Sequence, residues 1–106
     1  MKSSDKASIS LSEVQALIGK IYRSKDQERG AEGTFLWLME EVGELAAAIR
    51  EGKPQELQAE FADVVAWLAS LANVLNIDLS QAVIAKYGNG CPGCGKSPCE
   101  CQAEKP

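Results

Sequence analysis

Apolar residues recur at helical spacing along four stretches of this chain and nowhere alternate over the length of a strand, so its hydrophobic surface can be buried only by packing helix against helix. Ser10 followed by Glu13 has capping-box spacing, and Leu11, Val14, Leu17, Ile18 and Ile21 then mark a first helix over about residues 11 to 24. The following KDQERGAEG is polar, holds Gly30 and Gly33, and reads as a loop, with Thr34 capping the next helix. That second helix, about 35 to 51, carries Phe35, Leu38, Met39, Val42, Leu45, Ala46 and Ile49 on one face and stops at Gly52. Pro54 suits a first helical turn, and Leu57, Phe61, Val64, Leu68, Leu71 and Leu75 carry a third helix to about residue 75. The short GKP link makes these two an antiparallel hairpin. Asp78 with Gln81 opens a short fourth helix that ends at Gly88.

A chain of 106 residues, 45% hydrophobic, supports one small helical domain over residues 1–88 with a modest core. The apolar backs of the hairpin exceed what a short first helix and a stub of a fourth can cover. The expected architecture is therefore all-α, a helical hairpin protomer that completes a four-helix bundle in a dimer or tetramer. A net charge of −4 supplies no basic field, which argues against nucleic acid or an anionic membrane as partner. The polar start MKSSDKAS lacks the apolar middle of a secretory signal, so a cytoplasmic location is expected. Histidine is absent, which leaves chemistry to carboxylates, lysine or a metal-activated water.

Negative charge crowds the hairpin. With Val42 as the centre of the buried face, Glu41 lies about 100° to one side and Glu44 about 160° on the same side. With Val64 as centre of the third helix, Glu60 falls about 40° and Asp63 about 100° away, so Glu60 reaches into the packed surface. Across a hairpin the two pairs can face one another, where four ionised carboxylates would raise each other's pKa unless a cation were present. An all-oxygen set suits Mg²⁺, with Mn²⁺ as substitute. The competing reading is a solvated helix flank, since glutamate is a good helix former and ExxE or ExxD alone is a weak signal. A di-iron bundle is disfavoured because its pattern needs Glu-x-x-His.

The segments WLMEEVGELAAAIR and ELQAEFADVVAWLASLANVLNIDLSQAVIAKY resemble the MazG-like family of all-α nucleoside triphosphate pyrophosphohydrolases, relatives of the dimeric dUTPases and dCTP pyrophosphatases. The resemblance spans roughly residues 11 to 87. It implies Mg²⁺ bound by Glu41, Glu44, Glu60 and Asp63, and cleavage of a (deoxy)nucleoside triphosphate to the monophosphate and pyrophosphate. Glu41 or Glu44 is then a candidate to accept the proton of the attacking water. Glu40 either orients a water or second ion or faces solvent.

Lys86, near the end of the fourth helix, is a candidate phosphate ligand by the same resemblance, although a lysine there also suits the helix dipole. Asn89 is a further candidate, but the arginine that often follows in the family is missing before Cys91. Lys25 and Arg29 are additional cations outside any matched motif. Trp67, one turn after Asp63, and Trp37, one turn before Glu41, can stack on a base or fill an interface. The remaining stretch, residues 89–106, is an appendage in which glycine, proline and cysteine replace periodic hydrophobics. Cys91, Cys94, Cys99 and Cys101 make structural Zn²⁺ the leading reading, with disulfides, an iron–sulfur cluster or a disordered reduced tail as alternatives. Beside the pyrophosphohydrolase stand two other functions: a noncatalytic helical interaction module with a zinc-binding tail, and a pyrophosphohydrolase of a phosphoribosylated nucleotide.

Overall fold

A computed structural model describes residues 8–102. All but Ser8 of the polar stretch MKSSDKAS read for a signal, and the end of the tail, residues 103–106, lie outside the described residues. The fold is all-α. Helix α1 runs Leu11–Glu51, α2 Pro54–Val74 and α3 Leu79–Tyr87. The capping box forms as expected: Glu13 N–H donates to Ser10 Oγ at 3.1 Å and Ser10 N–H to Glu13 Oε1 at 2.8 Å. Gly52, at φ 69°, ends α1 in the left-handed conformation that glycine adopts without penalty. Lys53 then turns the chain so that α2 packs back along α1.

The expected loop at 25–33 is not a loop. Residues 25–29 and 31–33 are helical, and the irregularity is confined to Gly30, whose φ 81° and ψ 174° break α1 into a first arm, 11–29, and a second arm, 31–51. Polarity and glycine content misled because the stretch is a bend in a helix, not a connection between helices. Thr34 is likewise not an N-cap. It sits inside the second arm, fully buried, and its hydroxyl donates to Gly30 O at 2.7 Å while accepting from Arg29 Nη1 at 3.2 Å.

The face that meets α2 is also shifted. Buried Thr34, Leu38 and Ala48, with half-buried Glu41 and Leu45, line the contact side of the second arm, whereas Val42, the expected centre, is 41% exposed. The shift is one residue, about 100°. It moves Glu41 from the flank of the packed face onto it. Small side chains, Ala48, Ala69, Ser70 and Ala72, let the helices approach closely, so the protomer's core is thin.

α3 docks on the first arm through Gln15. Its Oε1 accepts from Leu79 N–H at 2.8 Å, and its Nε2 donates to Asn73 Oδ1 at 3.1 Å and Ile77 O at 2.8 Å. Asn76, at φ 59°, closes α2 in a Schellman arrangement in which Ile77 N–H reaches Ala72 O at 2.8 Å.

Gly30 adopts a backbone conformation open essentially to glycine alone. Gly30→Ala is expected to cost about 1–3 kcal/mol, read as a lowered urea midpoint with an unchanged m-value. A midpoint equal to wild type would mean that the bend is not imposed by this residue.

Candidate metal centre and active site

The bend and the hairpin together position the acidic side chains. One carboxylate oxygen from each of Glu41, Glu60 and Asp63 can be chosen so that all three lie within 4.8 Å of one another, joining the second arm of α1 to the first half of α2. Glu60 is half-buried, and its Oε1 is buried without a hydrogen-bond partner. Such an orphaned acceptor is costly unless something positive or protic meets it. The Glu41 pKa is raised from its ordinary 4.5, first by burial, then by the charges of Asp63, Glu60 and Glu44, and finally by a contact with the Glu60 carboxyl.

This donor set fits a hard divalent cation: oxygen ligands only, several negative charges and an unsatisfied buried acceptor. Glu44 is exposed and stands outside the tight trio, yet close enough for its charge to act on Glu41. Glu40 is exposed.

A second set of residues adjoins this centre. Trp67 stacks on Trp37 with ring centroids 5.9 Å apart and planes 16° from parallel. The Arg29 guanidinium lies 4.7 Å from the Trp67 ring centroid, continuing the stack. Arg29 is held by Asp26, whose Oδ1 accepts from Nη1 at 3.0 Å while its Oδ2 accepts from Ser70 Oγ at 2.7 Å. Asp26 is only 3% exposed, so its charge is tolerable because both oxygens are satisfied. Gly33 leaves room for the arginine stem, since a Cβ there would come within 2.8 Å of Arg29 Cγ. Asp63, Trp67, Arg29, Lys25, Tyr22 and Ser70 line a concavity of about 260 Å³.

Lys86 and Asn89 do not line that concavity. Lys86 Nζ instead lies 5.6 Å from the Tyr87 ring centroid. Arg29 and Lys25, which matched no motif, are the cations beside Asp63. Asp26 was missed altogether, although a lone aspartate three residues before an arginine in a helix was the available signal. The four cysteines, Cys91, Cys94, Cys99 and Cys101, form a separate cluster in the tail, each unpaired, with sulfurs within 4.8 Å of one another. Contacts among the thiols push Cys101 up to about 12, while the backbone amide of Glu100 leads those that pull Cys94 down to about 7.

Residues 29–95 match the MazG nucleotide pyrophosphohydrolase domain. The chain belongs to the MazG nucleotide pyrophosphohydrolase family. It is also 36% identical over 76 residues to a dATP/dGTP diphosphohydrolase of Cyanophage S-2L, an alignment covering 72% of this chain and 69% of that protein. As a MazG-family member it is a nucleoside triphosphate pyrophosphohydrolase, which sets aside the noncatalytic helical module. The matched segment opens at Arg29 and contains every carboxylate of the acidic centre. Among the described residues no single helix is long and apolar enough to cross a membrane.

Glu41 binds its proton more tightly in the fold than in the unfolded chain, where 4.5 applies, so the folded state holds more protons between 4.5 and its raised value. Stability attributable to Glu41 is full below 4.5 and is lost as pH rises through the folded pKa. In metal-free protein the difference in urea midpoint between wild type and Glu41→Gln is therefore expected to move against wild type over that window. A difference that stays constant with pH would remove the raised pKa.

Proposed function

We propose that Mg²⁺, with Mn²⁺ able to substitute, is held by Glu41, Glu60 and Asp63 with support from Glu44, and that the site hydrolyses a (deoxy)nucleoside triphosphate between its α- and β-phosphates. The carrying observation is the buried, unpartnered Glu60 Oε1 inside a trio of carboxylates. An ion held by these residues would supply charge to neutralise phosphate oxygens and so favour attack at the α-phosphorus.

The protein's own groups do the rest. Arg29 and Lys25 face phosphate charge from the concavity beside Asp63, and the Arg29 guanidinium is already oriented by Asp26. Trp67, held between Trp37 and the Arg29 guanidinium, offers its ring edge to the base. Glu44 accepts a proton from the attacking water, and Glu40, one residue before Glu41, orients it. The water oxygen bonds to the α-phosphorus and the bridging oxygen departs with pyrophosphate, leaving the nucleoside monophosphate. Lys86 and Asn89 act on substrate only if a neighbouring protomer brings them to the site. Because the similar phage protein is named for dATP and dGTP, purine deoxynucleoside triphosphates are the first substrates to test, ahead of phosphoribosylated nucleotides. The role that fits is nucleotide-pool control or house-cleaning in the cytoplasm.

The apolar face turned away from the protomer core, with Phe35, Leu36, Met39, Val42 and Ile49 on α1 and Phe61, Val65 and Leu68 on α2, supports a homo-oligomer in which two hairpins complete a four-helix bundle. Sedimentation is expected to give a dimer or tetramer at micromolar protein. A stable monomer would contradict it.

Turnover tests the site itself. With Mg²⁺ and a panel of ribo- and deoxyribonucleoside triphosphates, pyrophosphate rather than phosphate is the expected product. Glu41→Gln and Asp63→Asn are each expected to lower kcat by roughly 100-fold or more with helicity intact, the scale of loss when a positioned carboxylate is removed. Retained turnover in both variants would take these residues out of the mechanism.

A further inference from the structure

Apart from the carboxylate centre, the tail gathers four cysteines into one cluster. Residues 89–102 contain no large apolar side chain, so no hydrophobic core can order them. They are nonetheless closed on themselves. Cys91 N–H donates to Lys96 O at 3.0 Å and Gly95 N–H to Cys91 O at 2.6 Å. Gly90, at φ 104°, permits this closure, because a Cβ there would meet the Lys96 carbonyl at 3.2 Å.

The sulfur geometry says what the loop closes around. Cys91 Sγ and Cys101 Sγ are 3.7 Å apart. A disulfide would need about 2.05 Å. Four sulfurs about 2.3 Å from a tetrahedral ion stand about 3.8 Å from one another, which the Cys91–Cys101 separation matches, and all four sulfurs lie within 4.8 Å of one another. Three backbone amides also donate to sulfur at 3.3 Å: Gly93 to Cys91, Glu100 to Cys94 and Cys101 to Cys99. Neutral thiols are weak acceptors, whereas thiolates bound to a metal take such amide donors as their outer support.

We propose that Cys91, Cys94, Cys99 and Cys101 bind one structural Zn²⁺, and that this ion, in place of a hydrophobic core, folds the tail beyond α3. Four thiolates fill a tetrahedral shell and leave no open position for a substrate, so the site is not catalytic. An all-sulfur set selects zinc over the hard cation suited to the carboxylates, and the two metals do not compete for one site. Binding free energy at such a site is folding free energy, so the tail is ordered with zinc and unfolded without it.

The test uses the full chain purified under reducing conditions. Elemental analysis is expected to find one zinc per chain, lost in Cys94→Ser and in Cys101→Ser. Exchange into Co²⁺ is expected to give the charge-transfer and ligand-field bands of a tetrahedral tetrathiolate. Chelation of the wild-type protein should speed tryptic cleavage after Lys96 severalfold while the helical circular dichroism persists, and pyrophosphate release on restoring Mg²⁺ should be unchanged. Reduced chains without zinc, zinc retained in both serine variants, iron with labile sulfide in its place, or Lys96 cleavage indifferent to chelation would each overturn the proposal.

Discussion

Carboxylates on two helices brought within 4.8 Å repel one another, and the acidic centre is arranged around that repulsion. For unit charges at this separation, with solvent screening on the exposed side of Asp63, each ionised pair costs on the order of 1–3 kcal/mol. The helix propensity gained by choosing glutamate is only tenths of a kcal/mol. The preference of glutamate for helices therefore does not account for this trio. A divalent cation would, because it would convert the repulsion of Glu41, Glu60 and Asp63 into shared attraction and give the orphaned Glu60 Oε1 a partner. The raised pKa of Glu41 comes first from burial, and the charges of Asp63, Glu60 and Glu44 add to it.

What holds the trio together lies partly outside it. The bend at Gly30 sets the direction of the second arm, and the buried Asp26 ties Arg29 of the first arm to Ser70 of α2. Thr34 closes the bend from the other side by bonding both Gly30 O and Arg29. The brace thus fixes three things at once: the crossing of α1 and α2, the place of the Arg29 guanidinium over Trp67, and the concavity that Asp63 shares with Lys25. The bend and the cation beside Asp63 come from one network.

The sequence made most of the helical architecture legible because its signals are local. Ser10 with Glu13, Gly52, Pro54 and Asp78 with Gln81 each specify a boundary through a cap or a fixed φ, and each boundary stands where expected. The KDQERGAEG stretch failed for the opposite reason. Its charges look like loop composition, but Asp26 and Arg29 satisfy each other and α2 inside the fold, a pairing with Ser70 across 44 positions that no local pattern reveals. Taking Val42 as the centre of the buried face erred because large apolar residues were assumed to face the protomer's own core. The inner contact is instead made by Thr34, Leu38 and Ala48, and the bulkier side chains stay exposed. That one-residue error hid the fact that Glu41 points into the hairpin, although the carboxylate pairs themselves were readable from spacing.

The cysteine tail and the acidic centre divide the chain by ligand chemistry, soft sulfur after α3 and hard oxygen within the hairpin. The proposed ion lies among the hairpin's oxygens. Crystals grown with Mn²⁺ and measured at its absorption edge test that most directly. An anomalous peak bounded by the carboxylates of Glu41, Glu60 and Asp63 is expected. A fully loaded crystal with no peak among them, and those oxygens turned to solvent, would contradict it.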